Sequence, residues 1–173
     1  MVEKDLVWKG KLKHTGIIDS RELYTFCYKW LTDEDYFIVE KVYNEKITKD
    51  GKEVEIKWFA FRKISDYFRF YLKIDWRIIL TPVEAIKNGG KVKAEKGILE
   101  IKIDGVLEKD YEHRWENNGF LKFLRGVYDR YMIRTRVEQY EERLMEEVNE
   151  FIAQCKSLLA IETKHEPIKE TKY

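Results

Sequence analysis

The sequence predicts an α+β fold: a curved antiparallel β-sheet with a helix after the first strand and a long C-terminal helix packed on the sheet. Three observations predict it. Residues 68–80 alternate, with Phe68, Phe70, Leu72, Ile74, Trp76, Ile78 and Leu80 on one side and Arg69, Tyr71, Lys73, Asp75, Arg77 and Ile79 on the other, the signature of a strand with one buried face. The runs 36–47 and 53–64 are rich in β-branched and aromatic residues and flank an Asp50-Gly51 pair, which supplies the positive φ of a hairpin turn. A helical pattern then extends from Phe120 to about Ile161, and it is the element long enough to cover an apolar sheet face.

The remaining elements follow in order. In an extended segment over 5–14, Leu6, Trp8 and Leu12 face one way and Lys9, Lys11 and Lys13 the other. Ser20 is placed to cap a helix from Arg21 to about Leu31, whose apolar face holds Leu23, Tyr24, Cys27, Tyr28, Trp30 and Leu31. Thr81-Pro82 is expected to end the alternating strand, with 83–87 read as a helical turn and Asn88-Gly89-Gly90 as a loop. Segments 91–95, 98–103 and 106–115 are further extended pieces, with Asp104-Gly105 as a turn or bulge.

The long helical region changes face. Phe120, Leu124, Val127, Tyr128 and Tyr131 form one stripe; Val137, Tyr140, Leu144, Val148, Phe151, Cys155 and Leu158 form another, rotated by roughly 140° on a straight helix. Charge reverses at the same place, from about +4 over 120–136 to about −5 over 137–152. That order opposes the helix macrodipole, so local helix stability does not explain it. A kink near 132–136 would fold both stripes onto one domain. A straight helix would leave Val137, Tyr140, Leu144, Val148 and Phe151 as an interface for a homodimer or a protein partner.

The chain has 173 residues, 44% hydrophobic and 38% charged, with a net charge of +1. These values suit one domain over 1–161 with a frayed tail over 162–173, and exclude a disordered chain. No apolar run reaches the roughly 20 residues of a membrane span. The charged start, Met1-Val2-Glu3-Lys4-Asp5, lacks the apolar stretch of a signal peptide, and Cys27 and Cys155 read as buried free thiols, so a cytoplasmic location is expected. Abundant Lys, Arg and Glu against two Gln give a thermophile-like composition.

No catalytic constellation emerges. His14, His113 and His165 lie apart from one another and from the cysteines, so no metal site is expected. Glu112 and His113 point to opposite sides of an extended segment. The serines lack a nucleophile elbow, and Gly89-Gly90 and Gly97 do not make a phosphate loop, so no cofactor is expected and no residues are singled out as catalytic.

The order of strand, helix, antiparallel strands and long terminal helix resembles the helix-grip arrangement of the START and Bet v1-like superfamily, with one helix after the first strand where those proteins have a pair. The resemblance implies an apolar or amphipathic small-molecule ligand held between sheet and helix. The large side chains of the sheet's buried face, Trp8, Phe70, Leu72, Ile74 and Trp76, are its pocket candidates. Two further readings stand beside it: the interaction helix over 137–159, and single-stranded nucleic acid bound by Arg69, Tyr71, Lys73 and Arg77 on the opposite sheet face. The near-zero net charge argues against nucleic acid.

Overall fold

The computed structural model describes residues 3–49, 51–87, 90–112 and 134–164. Five strands, β1 (Glu3–Ile17), β2 (Phe37–Thr48), β3 (Gly51–Lys63), β4 (Phe68–Lys87) and β5 (Gly90–Lys109), form an open antiparallel sheet in the order β1-β5-β4-β3-β2. Helix α1 (Ser20–Asp33) follows β1, and α2 (Arg134–Lys164) closes the described chain. Both helices pack on one face, called inner below. The fold is therefore the α+β arrangement expected from the sequence, with a C-terminal helix on an antiparallel sheet. Of the predicted helix 120–161, residues 120–133 lie outside the described residues, as do the first apolar stripe and the face change near 132. His113 lies outside them too.

The inner face is the apolar side of the alternation. Phe68, Phe70, Leu72, Ile74, Trp76, Ile78 and Leu80 are all buried, and the register places Val54, Ile56, Trp58 and Ala60 of β3 and Leu99, Ile101, Ile103 and Leu107 of β5 beside them. Helix α1 contributes Leu23, Cys27 and Leu31, spaced by four so that they share one face. Helix α2 contributes Leu144, Val148, Phe151, Ile152, Cys155 and Leu159. The two helices meet at Trp30 and Phe151, whose ring centroids are 5.1 Å apart, and at Cys27 and Cys155. These are free thiols with their Sγ atoms 3.4 Å apart. Burial, then Cys155, pushes the Cys27 thiol far up, which keeps it protonated.

Helix α2 and strand β1 both come into ordinary contact range of Gly105 on β5. A Cβ on Gly105 would lie 3.4 Å from Trp8 Cβ and 3.5 Å from Val148 Cγ2. The Asp104-Gly105 pair is thus no turn; it sits in mid-strand, where β1 and α2 converge on β5.

Four local expectations are corrected. A bulge between Leu6 and Trp8 reverses the side-chain alternation, so Trp8 faces inward opposite Gly105 while Leu6, 57% exposed, faces outward opposite Val106. The α1 cap is Asp19, whose Oδ1 accepts from the backbone N–H groups of Arg21 (3.0 Å) and Glu22 (2.9 Å). Thr81-Pro82 does not end β4, and 83–87 are strand. Pairing with β3 stops at Leu80, so beyond it β4 pairs with β5 alone and tolerates a residue lacking an N–H. The pieces 91–95, 98–103 and the start of 106–115 are one continuous strand, ended at Asp110, which has φ 49°.

Candidate functional site

A cleft of about 460 Å³ opens on the inner face, between the N-terminal turn of α1 and the β2–β3 side of the sheet. The sheet register explains its floor. Inward positions opposite one another run Tyr43–Ile56–Trp76 in one row and Glu45–Val54–Ile78 in the next. Ile56, Val54 and Ile78 therefore form an apolar base, and Tyr43 and Glu45 rise at the β2 edge. Asp19, Ser20, Arg21 and Tyr24 form the opposite wall, and Lys52 and Glu95 close one end through an ion pair of 2.9 Å. Ile18 N–H donates to the Glu95 carbonyl (3.0 Å), which ties the start of α1 to β5.

The deeper wall is held by a shared carboxylate. A bulge at Lys41 separates Glu40, paired opposite Trp58, from Val42, and Glu40 stays on the inner side. Its Oε2 accepts from Tyr24 Oη (2.9 Å) and from Trp58 Nε1 (3.0 Å). The Tyr24 ring meets Trp58 edge-on at 4.9 Å, and Trp58 meets Trp76 at 5.1 Å. Burial, then Glu40, pushes Tyr24 up to about 12; Tyr43 is raised by burial and by Glu45. Both phenols remain neutral hydrogen-bond donors. Trp76 Nε1, beside the floor, is buried without a hydrogen-bond partner among the described residues.

The pocket candidates drawn from the sequence sit elsewhere. Phe70, Leu72, Ile74 and Trp76 are packed in the core, Trp8 is half-buried against it, and none of the five lines the cleft. The cleft uses smaller side chains of the same inner face together with polar residues from α1 and β2. Alternation in β3 and β4 had marked Val54, Ile56 and Ile78 as inward. Nothing local marked Asp19, Arg21 or Glu45, which the tertiary fold brings to the rim.

The stripe considered for an interface is covered by the chain itself. Leu144, Val148 and Phe151 are buried, and Val137 and Tyr140 pack on the core, with Tyr140 5.1 Å from Phe68. Polar pairing reinforces that contact. Glu147 of α2 accepts from Tyr36 Oη (3.0 Å), from Arg62 Nη2 and from Arg143 Nε (3.1 Å). Arg62 also donates to the Glu34 carbonyl (2.8 Å) and lies over the Tyr36 and Phe70 rings.

On the outer face, one row crosses all five strands as Phe37–Phe61–Tyr71–Val106–Leu6. Phe61 and Tyr71 stack at 5.1 Å. The three basic residues considered for nucleic acid are each engaged: Arg69 with Glu108, Lys73 with Asp75, Arg77 with Glu53. Among the described residues, no cluster of His, Cys, Asp or Glu is arranged to hold a metal ion, and no helix is long and apolar enough to cross a membrane.

No protein-family model, curated protein or solved structure gives a significant match to this chain, so its site is read from its own geometry.

Proposed function

We propose that the protein is a binding module of helix-grip type for a small amphipathic molecule, held in the cleft beneath the start of α1. The cleft carries the reading. Its volume of about 460 Å³ falls within the ~300–1,000 Å³ range of small-molecule sites. Its apolar base of Val54, Ile56 and Ile78 suits a hydrocarbon or ring body, while Arg21 and Lys52 offer donors, and the Tyr24 and Tyr43 hydroxyl oxygens acceptors, to a polar head at the rim. The strand order β1-β5-β4-β3-β2, with α1 after β1 and α2 on the same face, is the arrangement on which the helix-grip comparison rests, and the cleft sits at α1 with no lining residue from α2 among the described residues.

The test is a titration with anilinonaphthalene sulfonate, an amphipathic fluorescent probe, read by its emission and by quenching of tryptophan fluorescence. The native protein is expected to bind one equivalent saturably. Val54→Phe, which fills the base of the cleft, is expected to weaken binding at least about tenfold while leaving the folded near-ultraviolet dichroism unchanged. Equal binding by the folded variant overturns the reading. If the variant does not fold, Arg21→Glu at the exposed rim replaces it, with the same two outcomes.

A further inference from the structure

The outer face of the sheet presents a charge pattern that the net charge of +1 conceals. Across the outward positions of the five strands whose side chains are described, Lys and Arg outnumber Asp and Glu two to one. The excess is shared: six cations against three anions on β1 and β5, and six against three on β2, β3 and β4. Lys9, Lys11 and Lys13 follow one another on the outer side of β1, and Lys11 stands directly opposite Lys102 of β5. Like charges facing each other across a strand pair destabilise it. Lys13 and Lys102 share Glu100, at 2.9 Å and 3.2 Å. Lys9 and Lys11 make no ion pair among the described residues. Glu100 offsets Lys102, and Asp75 stands opposite Lys102 on β4, so Lys11 is the cation of that pair left for an anion from solution.

Aromatic rings lie within reach of this cluster. Phe59 is one residue pair along the strands and two strands across from Lys102, about 12 Å by sheet spacing. Phe61 and Tyr71 adjoin it in the next row, and Phe37 at the sheet edge is 71% exposed. Both described helices pack on the other face. A row of cations beside a row of rings matches a polymer that alternates phosphate with flat bases.

We infer that this outer face binds single-stranded nucleic acid, with Lys9, Lys11 and Lys102 taking the phosphodiester backbone and Phe37 and Phe59 stacking on unpaired bases, while Phe61 is already occupied by Tyr71 and Arg69. The inference stands apart from the cleft on the inner face. It also departs from the residues expected from sequence. Arg69, Lys73 and Arg77 are held by carboxylates on neighbouring positions, Lys102 shares Glu100 with Lys13, and the cations without an ion pair among the described residues, Lys9 and Lys11, come from β1.

Fluorescence anisotropy of labelled oligouridylate and oligothymidylate tests it at low salt and at about 200 mM salt. Binding is expected, with a log–log salt slope near −2 for about three phosphates. Lys11→Glu with Lys102→Glu is expected to weaken it at least about tenfold, and Phe59→Ala by about five- to a hundredfold. Phe37→Ala, at an exposed position, serves if Phe59→Ala does not fold. Three outcomes overturn the inference: no oligonucleotide binding at low salt; equal binding of duplex DNA or polyglutamate; or ring variants that bind like the native protein. The charge variants are expected to leave probe binding in the cleft unchanged, so failure of either reading is visible without the other.

Discussion

Glu147 and Glu108 each hold an arginine, from opposite faces of the same sheet. Glu147 reaches down from α2 to Arg62 on β3, whose residue exposure is 8%. Glu108 lies on β5 and takes Arg69 on the neighbouring strand through Nε (2.7 Å) and Nη2 (2.6 Å), with Lys4 of β1 at 2.9 Å. Here the carboxylate is buried, at 1%, while the arginine side chain keeps 28% exposure. The first pair joins layers that are far apart in sequence and encloses the cation. The second joins adjacent strands and leaves its cations at the water. A buried charge without its partner is costly, whereas a cation at the surface regains water. The inner pair is therefore a tertiary lock, and the outer pair belongs to the sheet's wet side.

The largest expected effect tests that asymmetry. Glu147→Ala leaves Arg62 enclosed with its principal partner gone and is expected to cost about 3–5 kcal/mol in a denaturant titration. Glu108→Ala frees Arg69 and Lys4 to solvent and is expected to cost about 1 kcal/mol. The double change Arg62→Met with Glu147→Leu removes both charges and is expected to recover most of the loss. Equal costs for the two single changes would erase the distinction between the faces.

A second contrast takes neighbouring residues of β4. Leu72 is 2% exposed on the inner face, and Leu72→Ala is expected to destabilise by about 2–5 kcal/mol. Lys73 faces outward in a pair with Asp75 (3.1 Å), and Lys73→Ala is expected to fall within about 0.5 kcal/mol of neutral. Similar midpoint shifts for the two would mean that the outer face is buried by something in solution.

This contrast was legible in the sequence because a strand's period of two is local information. Phe68 to Leu80 needed no tertiary knowledge to sort into inside and outside. The same rule misplaced Leu6, because a single bulged residue at Val7 reverses the alternation and no residue type announces it. Pro82 misled for a related reason: its missing N–H breaks a central strand, and the absence of β3 beside it depends on the length of another element. The cleft was legible only as an apolar floor. Its rim joins Arg21 to Glu45 and Glu95, positions united by the packing of α1. The acidic half of the terminal helix also acquired a meaning that sequence could not give, since Glu147 opposes Arg62 across 85 residues. Net charge concealed the outer face for the same reason: it sums over surfaces that the fold separates.

The smallest expected effect lies where α2 passes the edge of the inner face. Glu141 has its carboxyl raised above the ordinary 4.5, first by burial, then by Asp5, against a lowering influence from Lys109 and with a further rise from Glu138. Asp5 is already engaged with Lys109 at 2.6 Å, so that cation is shared. A carboxyl raised on folding binds its proton more tightly in the native state. Its contribution to stability is complete below the unfolded value of 4.5 and is lost as pH rises through the higher folded value. At neutral pH the ionised Glu141 is thus a net cost, unlike Glu147, whose charge is needed. Glu141→Gln removes the ionisation and nearly keeps the shape. It is expected to stabilise the protein by a few tenths of a kcal/mol at pH 7, with the gain fading as pH falls toward about 4. Thermal melts of both proteins across that range read the difference directly. A gain that persists unchanged at low pH would assign it to packing, and a loss at neutral pH would show that Glu141, like Glu147, is held by a cation.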